Sequence, residues 1–199
     1  SEYPDFRFSE PSLRAFHEDD VWGGLQAVLD CDIPVVALID GNCMGAGMEI
    51  ASCCDIRLAS EAARFGAPIA RLGFPMAPRE AQLVSQAAGM LTARQMLLEA
   101  AVLDATEMKD RGFLHRVLPA GELEAEGART ASRVASLAPE AARLNKQTLR
   151  QLSERNGPPA LANVAQGAID LIANAYRYAD SPEHREGVTA FLEKRSPAF

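Results

Sequence analysis

The sequence lacks most of what would tie it to a membrane, a nucleic acid or an oxidising compartment. No apolar run in its 199 residues approaches the length needed to cross a bilayer, and the opening Ser1-Glu2-Tyr3-Pro4-Asp5 has neither the basic nor the apolar region of a signal peptide. An excess of base is missing too: 20 Lys and Arg against 27 Asp and Glu leave a net charge of −7, which excludes broad attraction to nucleic acid or to an anionic bilayer. A small anionic ligand stays open, because a few local amides and cations can hold one. Cysteines are few, and Cys31, Cys43, Cys53 and Cys54 crowd into one apolar quarter with neither a disulfide framework nor zinc-ligand spacing, so they read as reduced core residues. His17, His115 and His184 are isolated from one another, and no metal is expected. What remains is a 48% hydrophobic chain long enough for a sizeable core, read as a soluble cytoplasmic protein of one main domain.

The pattern through Trp22, Leu25, Val28 and Leu29 predicts an amphipathic helix after about Asp19. Val35 to Ile39 predicts a strand buried on both faces, ending at the turn Asp40-Gly41-Asn42. A helix follows Gly45-Ala46-Gly47; strands are expected at Asp55 to Ala59 and Arg64 to Pro68. Strand, helix, strand marks an α/β layer. Beyond Pro78 helices are predicted at Glu80 to Ala88, at Thr92 to Ala100 with Thr92 as cap, and at Thr106 to Arg111. A brief strand at Phe113 to Leu118 precedes helices starting near Glu122, Pro139, Ala160 and Ser181.

One turn carries candidate chemistry. A helix start leaves backbone N–H groups without internal partners, and small residues there let a ligand approach. The amide of Ala46, flanked by Gly45 and Gly47, could hold the oxyanion of an acyl group, and Glu49, three residues on, could act beside it as a general base. The same residues also fit a plain turn into a helix whose first-turn Glu is favoured by the dipole. The spacing is not G-x-G-x-x-G, which argues against a dinucleotide loop, and Ser52 and Ser85 lack the G-x-S-x-G context of a nucleophile.

Three ordered stretches resemble the crotonase (enoyl-CoA hydratase/isomerase) superfamily: Pro34 to Ala51 with Cys54-Asp55-Ile56-Arg57, Ala63 to Pro68 followed by Leu72-Gly73-Phe74-Pro75, and Arg185 to Arg195. The resemblance implies a ββα spiral core, about residues 1–120, followed by a C-terminal helical region, 121–199, used for trimerisation. It implies an acyl-CoA thioester as substrate, with coenzyme A arriving as part of it and no separate cofactor. In its terms Ala46 is one of two oxyanion amides that stabilise an enolate, and Glu49 is the first of two catalytic glutamates. Phe191 and Lys194 match residues that contact coenzyme A from a neighbouring subunit of a trimer or dimer of trimers. On spacing alone, the last helix would be an ordinary amphipathic one with Phe191 inward and Lys194 solvated.

Two departures stand out. The second hydratase glutamate should follow F-G-x-P, where this chain has Ile69, and an isoleucine cannot carry protons. Ile69 is kept as a residue of the substrate pocket. Glu80 is a candidate replacement, though a Glu near a helix start is expected to lie on the surface with Arg79 and favour the dipole. The family's opening strands and its first oxyanion segment are not found, and Ser1 to Asp19 resembles the variable loop that follows them, so the sequence is expected to be part of a longer protein. The resemblance therefore leaves two functions: a lyase or isomerase using Glu49 as acid/base, or a CoA-binding homologue with little activity.

Overall fold

A computed structural model describes residues 9–119, 121–155 and 176–199. The chain divides into two compact units, one of residues up to Cys31 with Val35–Ala128, the other of Asp32–Pro34 with Arg129–Phe199. Among the described residues no helix is long and apolar enough to cross a membrane.

The first unit opens with helix α1 (Glu10–Ala15), a π-helical stretch (Phe16–Val21) and helix α2 (Trp22–Asp30), joined without a break. The helix begins about ten residues before the predicted one, because Pro11 occupies the first turn, where its missing N–H costs nothing. Two ββα turns follow. The first holds β1 (Val36–Ile39), β2 (Asn42–Met44) and α3 (Ala46–Cys53). The second holds β3 (Ile56–Ser60), β4 (Arg64–Gly66), a 3-10 turn (Pro68–Leu72), α4 (Pro78–Ala88) and α5 (Met90–Leu98). Then come β5 (Val102–Asp104), α6 (Ala105–Asp110) and β6 (Arg116–Leu118). The leading strand of each turn enters a parallel sheet ordered β1-β3-β6, and the second strand enters another ordered β2-β4-β5, with β5 antiparallel. This division of strands between two sheets is what a spiral of ββα turns requires.

The core gathers Met48, Phe65, Val84, Met96, Met108 and Phe113, with Phe65 and Phe113 edge to face at 5.9 Å. A second cluster, Leu25, Cys53 and Leu83 with Trp22 and Val28 around it, fastens α2 to α3 and α4. Among the described residues no disulfide joins the cysteines; Cys43, Cys53 and Cys54 are buried and Cys31 is half-buried.

Several local expectations are corrected. Val35 to Ile39 is not buried on both faces: Leu38 in β1 is 45% exposed. Asn42, expected to close a turn, opens the strand Asn42–Met44, because Arg64–Gly66 lies alongside it and pairs with it. Thr92 does not cap α5: it lies buried inside the helix, and Gly89 with φ +85 makes the turn between α4 and α5. The strand expected from Phe113 is paired only from Arg116, because the Phe113 and Leu114 side chains go into the core.

Helix α7 (Leu123–Ala135) runs across the boundary between the units. The second unit contains α8 (Pro139–Arg155), a 3-10 turn (Arg177–Asp180) and α9 (Pro182–Glu193), capped by the Ser181 hydroxyl. The helix expected to start near Ala160 lies outside the described residues. Within this unit α8 is tied to the Asp32–Pro34 segment: Lys146 Nζ donates to the Ile33 carbonyl at 2.9 Å, and Gln147 and Arg150 donate to the Asp32 carboxylate.

Candidate active site

Helix α3 is held at both ends by the motifs that flank it. At its start Gly45 takes φ +51, a conformation open to glycine, and its N–H donates to the Gly66 carbonyl at 3.0 Å. Gly66 is itself demanded by packing, for a Cβ there would lie 2.9 Å from the Ala101 carbonyl oxygen. At the other end the Arg57 guanidinium donates to the carbonyl of Cys54 at 2.7 Å and to that of Phe113 at 2.6 Å, placing a cation at the helix C-terminus. Asp55 accepts from the Val35 N–H at 2.7 Å. Thus the F-G-x-P and C-D-I-R stretches are braces for the helix that carries Glu49.

The Ala46 amide at the start of α3 takes no backbone acceptor among the described residues, and Ala46 is exposed. Gly47 leaves ordinary room, the nearest atom to a Cβ there being Cys43 Sγ at 3.7 Å. One turn on, Glu49 is only 6% exposed; its backbone N–H donates to the Gly45 carbonyl at 3.2 Å, while its carboxyl takes no side-chain hydrogen bond among the described residues. Burial, reinforced by the charge of Glu80, pushes its carboxyl up to about 7, with His17 pulling weakly the other way. A carboxyl poised there can both take and return a proton near neutral pH.

Glu80 is not on the surface. It is 3% exposed on the first turn of α4, which packs on α3, and its Oε1 lies 2.8 Å from Nδ1 of His17 in the π-helical stretch. Arg79, beside it, does stay outside, paired with Glu18 at 3.2 Å and lying over the Trp22 ring at 5.5 Å. Nothing local in the sequence links His17 to Glu80, since the two lie 63 residues apart and no spacing rule joins them. Ile69 sits in the 3-10 turn after β4, half-buried against the main core, so no carboxylate stands at that position. No group of three or more metal-ligating side chains gathers among the described residues.

Phe191 and Lys194 belong to the second unit. Phe191 is 82% exposed instead of facing inward, and with Leu144, Tyr178, His184 and Val188 it lines a groove of about 630 Å³. Lys194 ends α9 in a left-handed conformation, φ +55. The third motif closes the chain end onto α9: Arg195 donates to both oxygens of Glu186, at 2.6 and 2.9 Å, and the Ala198 N–H donates to Glu186 at 2.8 Å. Those bonds pull the Glu186 carboxyl down to about 2.

Comparison with known proteins agrees with this architecture. A solved enoyl-CoA hydratase/carnithine racemase from Magnetospirillum magneticum superposes with a TM-score of 0.88 at 32% identity, covering 100% of this chain and 70% of that one. A 2,3-dehydroadipyl-CoA hydratase of Escherichia coli K12 is 32% identical over 179 residues, 90% of this chain and 66% of the relative. A short-chain-enoyl-CoA hydratase of Clostridium acetobutylicum is 32% identical over 162 residues, 81% of this chain and 59% of the relative. The family model described as enoyl-CoA hydratase/isomerase matches residues 9–199, and with the ββα turns and the braced Gly45–Glu49 turn already in place, the chain belongs to the enoyl-CoA hydratase/isomerase family of the crotonase superfamily.

Proposed function

We propose that this chain processes an enoyl-CoA thioester by stabilising an enolate, with the Ala46 amide receiving the thioester oxygen and Glu49 moving the proton. The observation that carries this reading is a buried carboxyl near 7 placed one helical turn from an exposed amide without a backbone acceptor. As charge moves from the acyl carbons onto the thioester oxygen, a donor already aimed at it stabilises the transition state without reorganising. Gly45 and Gly47 keep the approach clear, and Ile69 supplies an apolar wall for the acyl chain. Coenzyme A enters with the substrate. The exposed Phe191 and Lys194 are assigned to coenzyme A contact in a homotrimer or dimer of trimers, where an 82% exposed Phe would find cover.

A second reading rests on Ile69: without a carboxylate there, the protein would bind acyl-CoA and turn over little of it. Assays of 2-enoyl-CoA and 3-enoyl-CoA substrates on the full-length protein and Glu49→Gln separate the two. Our reading predicts that Glu49→Gln lowers kcat about 10³-fold, the size of a lost general base, with acyl-CoA affinity nearly unchanged. Turnover unaffected by Glu49→Gln would remove the assigned base, and wild-type binding without turnover would establish the second reading.

A further inference from the structure

One ionisable pair beside Glu49 is left unused by the chemistry above. Glu80 is buried between α4 and the π-helical stretch, and its carboxylate accepts from Nδ1 of His17 at 2.8 Å. A carboxylate at Nδ1 keeps the proton on that nitrogen and turns the other, Nε2, outward as the working atom. Nε2 has no partner among the described residues, and the His17 side chain is 23% exposed, so it is the open end of the cluster. Helix α4, which carries Glu80, packs on α3, which carries Glu49, and the His17–Glu80 contact brings the imidazole to the same place; the Glu49 carboxyl, raised by burial, is pushed further up by Glu80 and pulled down by His17. The other charges near the imidazole are Glu18, Asp19 and Asp20 on its own helical stretch and Arg79 on α4, with Arg79 engaged by Glu18.

The pair is a poor choice for holding the N-terminal helix in place. Leu25 and Trp22 already pack against Leu83 and Cys53, and a buried ion pair is seldom better for stability than an apolar one. Two carboxylates buried close together add to the cost.

We propose that His17, oriented by Glu80, is the second acid/base group of the active site, supplying the function that Ile69 cannot. This rests on the enolate reading of Glu49 and Ala46. In hydration, Glu49 takes a proton from water as the water oxygen bonds to C3. The π pair of C2=C3 moves into the thioester, and the oxyanion rests on the Ala46 amide. His17 in its imidazolium form then gives its Nε2 proton to C2, the enolate pair forming the C–H bond while the N–H pair stays on nitrogen. Glu49 releases its proton to solvent and His17 recovers one, so the net change is one water added. Glu80 never touches substrate; it is a positioning residue.

The test is the pH profile of short-chain 2-enoyl-CoA hydration by the full-length protein and the variants His17→Asn, His17→Ala, Glu80→Gln and Glu49→Gln. Asn at 17 can keep a hydrogen bond to Glu80 while lacking the transferring nitrogen, so the helix tie and the chemistry are separated. We expect His17→Asn and His17→Ala to lower kcat about 10²-fold, with KM within about threefold and the alkaline limb of the profile lost. Glu80→Gln, which keeps the bond without the charge, should lose about tenfold in kcat. If His17→Asn matches wild type in kcat and profile while Glu49→Gln is inactive, this inference is overturned and the Glu49 reading stands. If Glu49→Gln is fully active, or the wild type binds without turnover, both fall. Loss in His17→Ala that Asn restores would mark a structural tie and overturn the inference.

Discussion

Two carboxylates, one in each unit, have been sent in opposite directions. Glu186 is given three hydrogen bonds, two from Arg195 and one from the Ala198 N–H, and its carboxyl is held down near 2. Glu49 is given burial and a second carboxylate nearby, and is pushed up to about 7. The first arrangement removes a group from proton chemistry by satisfying it; the second keeps a group available by leaving it unsatisfied. Both are built from Glu on a helix, so the difference lies wholly in what the tertiary fold brings to them.

After the loss of Glu49 itself, the largest effect expected from breaking one side of this contrast is at the turn that serves it. Ala46→Pro removes the N–H at the first position of α3, where a helix tolerates proline, and should lower kcat about 10²-fold while the melting temperature changes little. Steady-state kinetics beside a thermal melt would check it.

A smaller effect concerns stability against pH. Because the folded pKa of Glu49, about 7, is raised above the ordinary 4.5, its contribution is fully present below 4.5 and is lost as pH rises through 7. The shift corresponds to about 3 kcal/mol. Urea unfolding at pH 4.5 and pH 8 should therefore show Glu49→Gln gaining on wild type by roughly that amount at the higher pH. Glu186 has the reverse sign: depressed below 4.5, its contribution is present above that pH and is lost as pH falls toward 2. The smallest effect is that of Arg195→Met, which breaks a surface pair and should lower the melting temperature by only about 2 °C at pH 7. A difference between Arg195→Met and wild type that persists unchanged at pH 2 would contradict the assigned pairing.

The sequence carried the Gly45–Glu49 turn and its braces openly, because each is a run of adjacent residues with its own local geometry. It did not carry β2 or β5, which are three residues long and exist only because β4 lies between them. Leu38 looked buried because an apolar run does not disclose which of its faces the rest of the fold covers. Glu80 looked like a surface residue because a helix start is a usual place for an acid; only the packing of α4 on α3 and the arrival of His17 make it interior. His17 had no local sign at all, since its meaning comes from a partner 63 residues away.

The central claim is that the Gly45–Glu49 turn forms an enolate, and it can be read without any knowledge of the physiological acyl group. Saturated butyryl-CoA incubated in D₂O with the full-length protein should exchange its C2 protons, followed by NMR, and Ala46→Pro, which removes the donor to the enolate oxygen, should slow that exchange about 10²-fold with butyryl-CoA still bound. Exchange at the wild-type rate in Ala46→Pro, or none in the wild type at saturating butyryl-CoA, would contradict it.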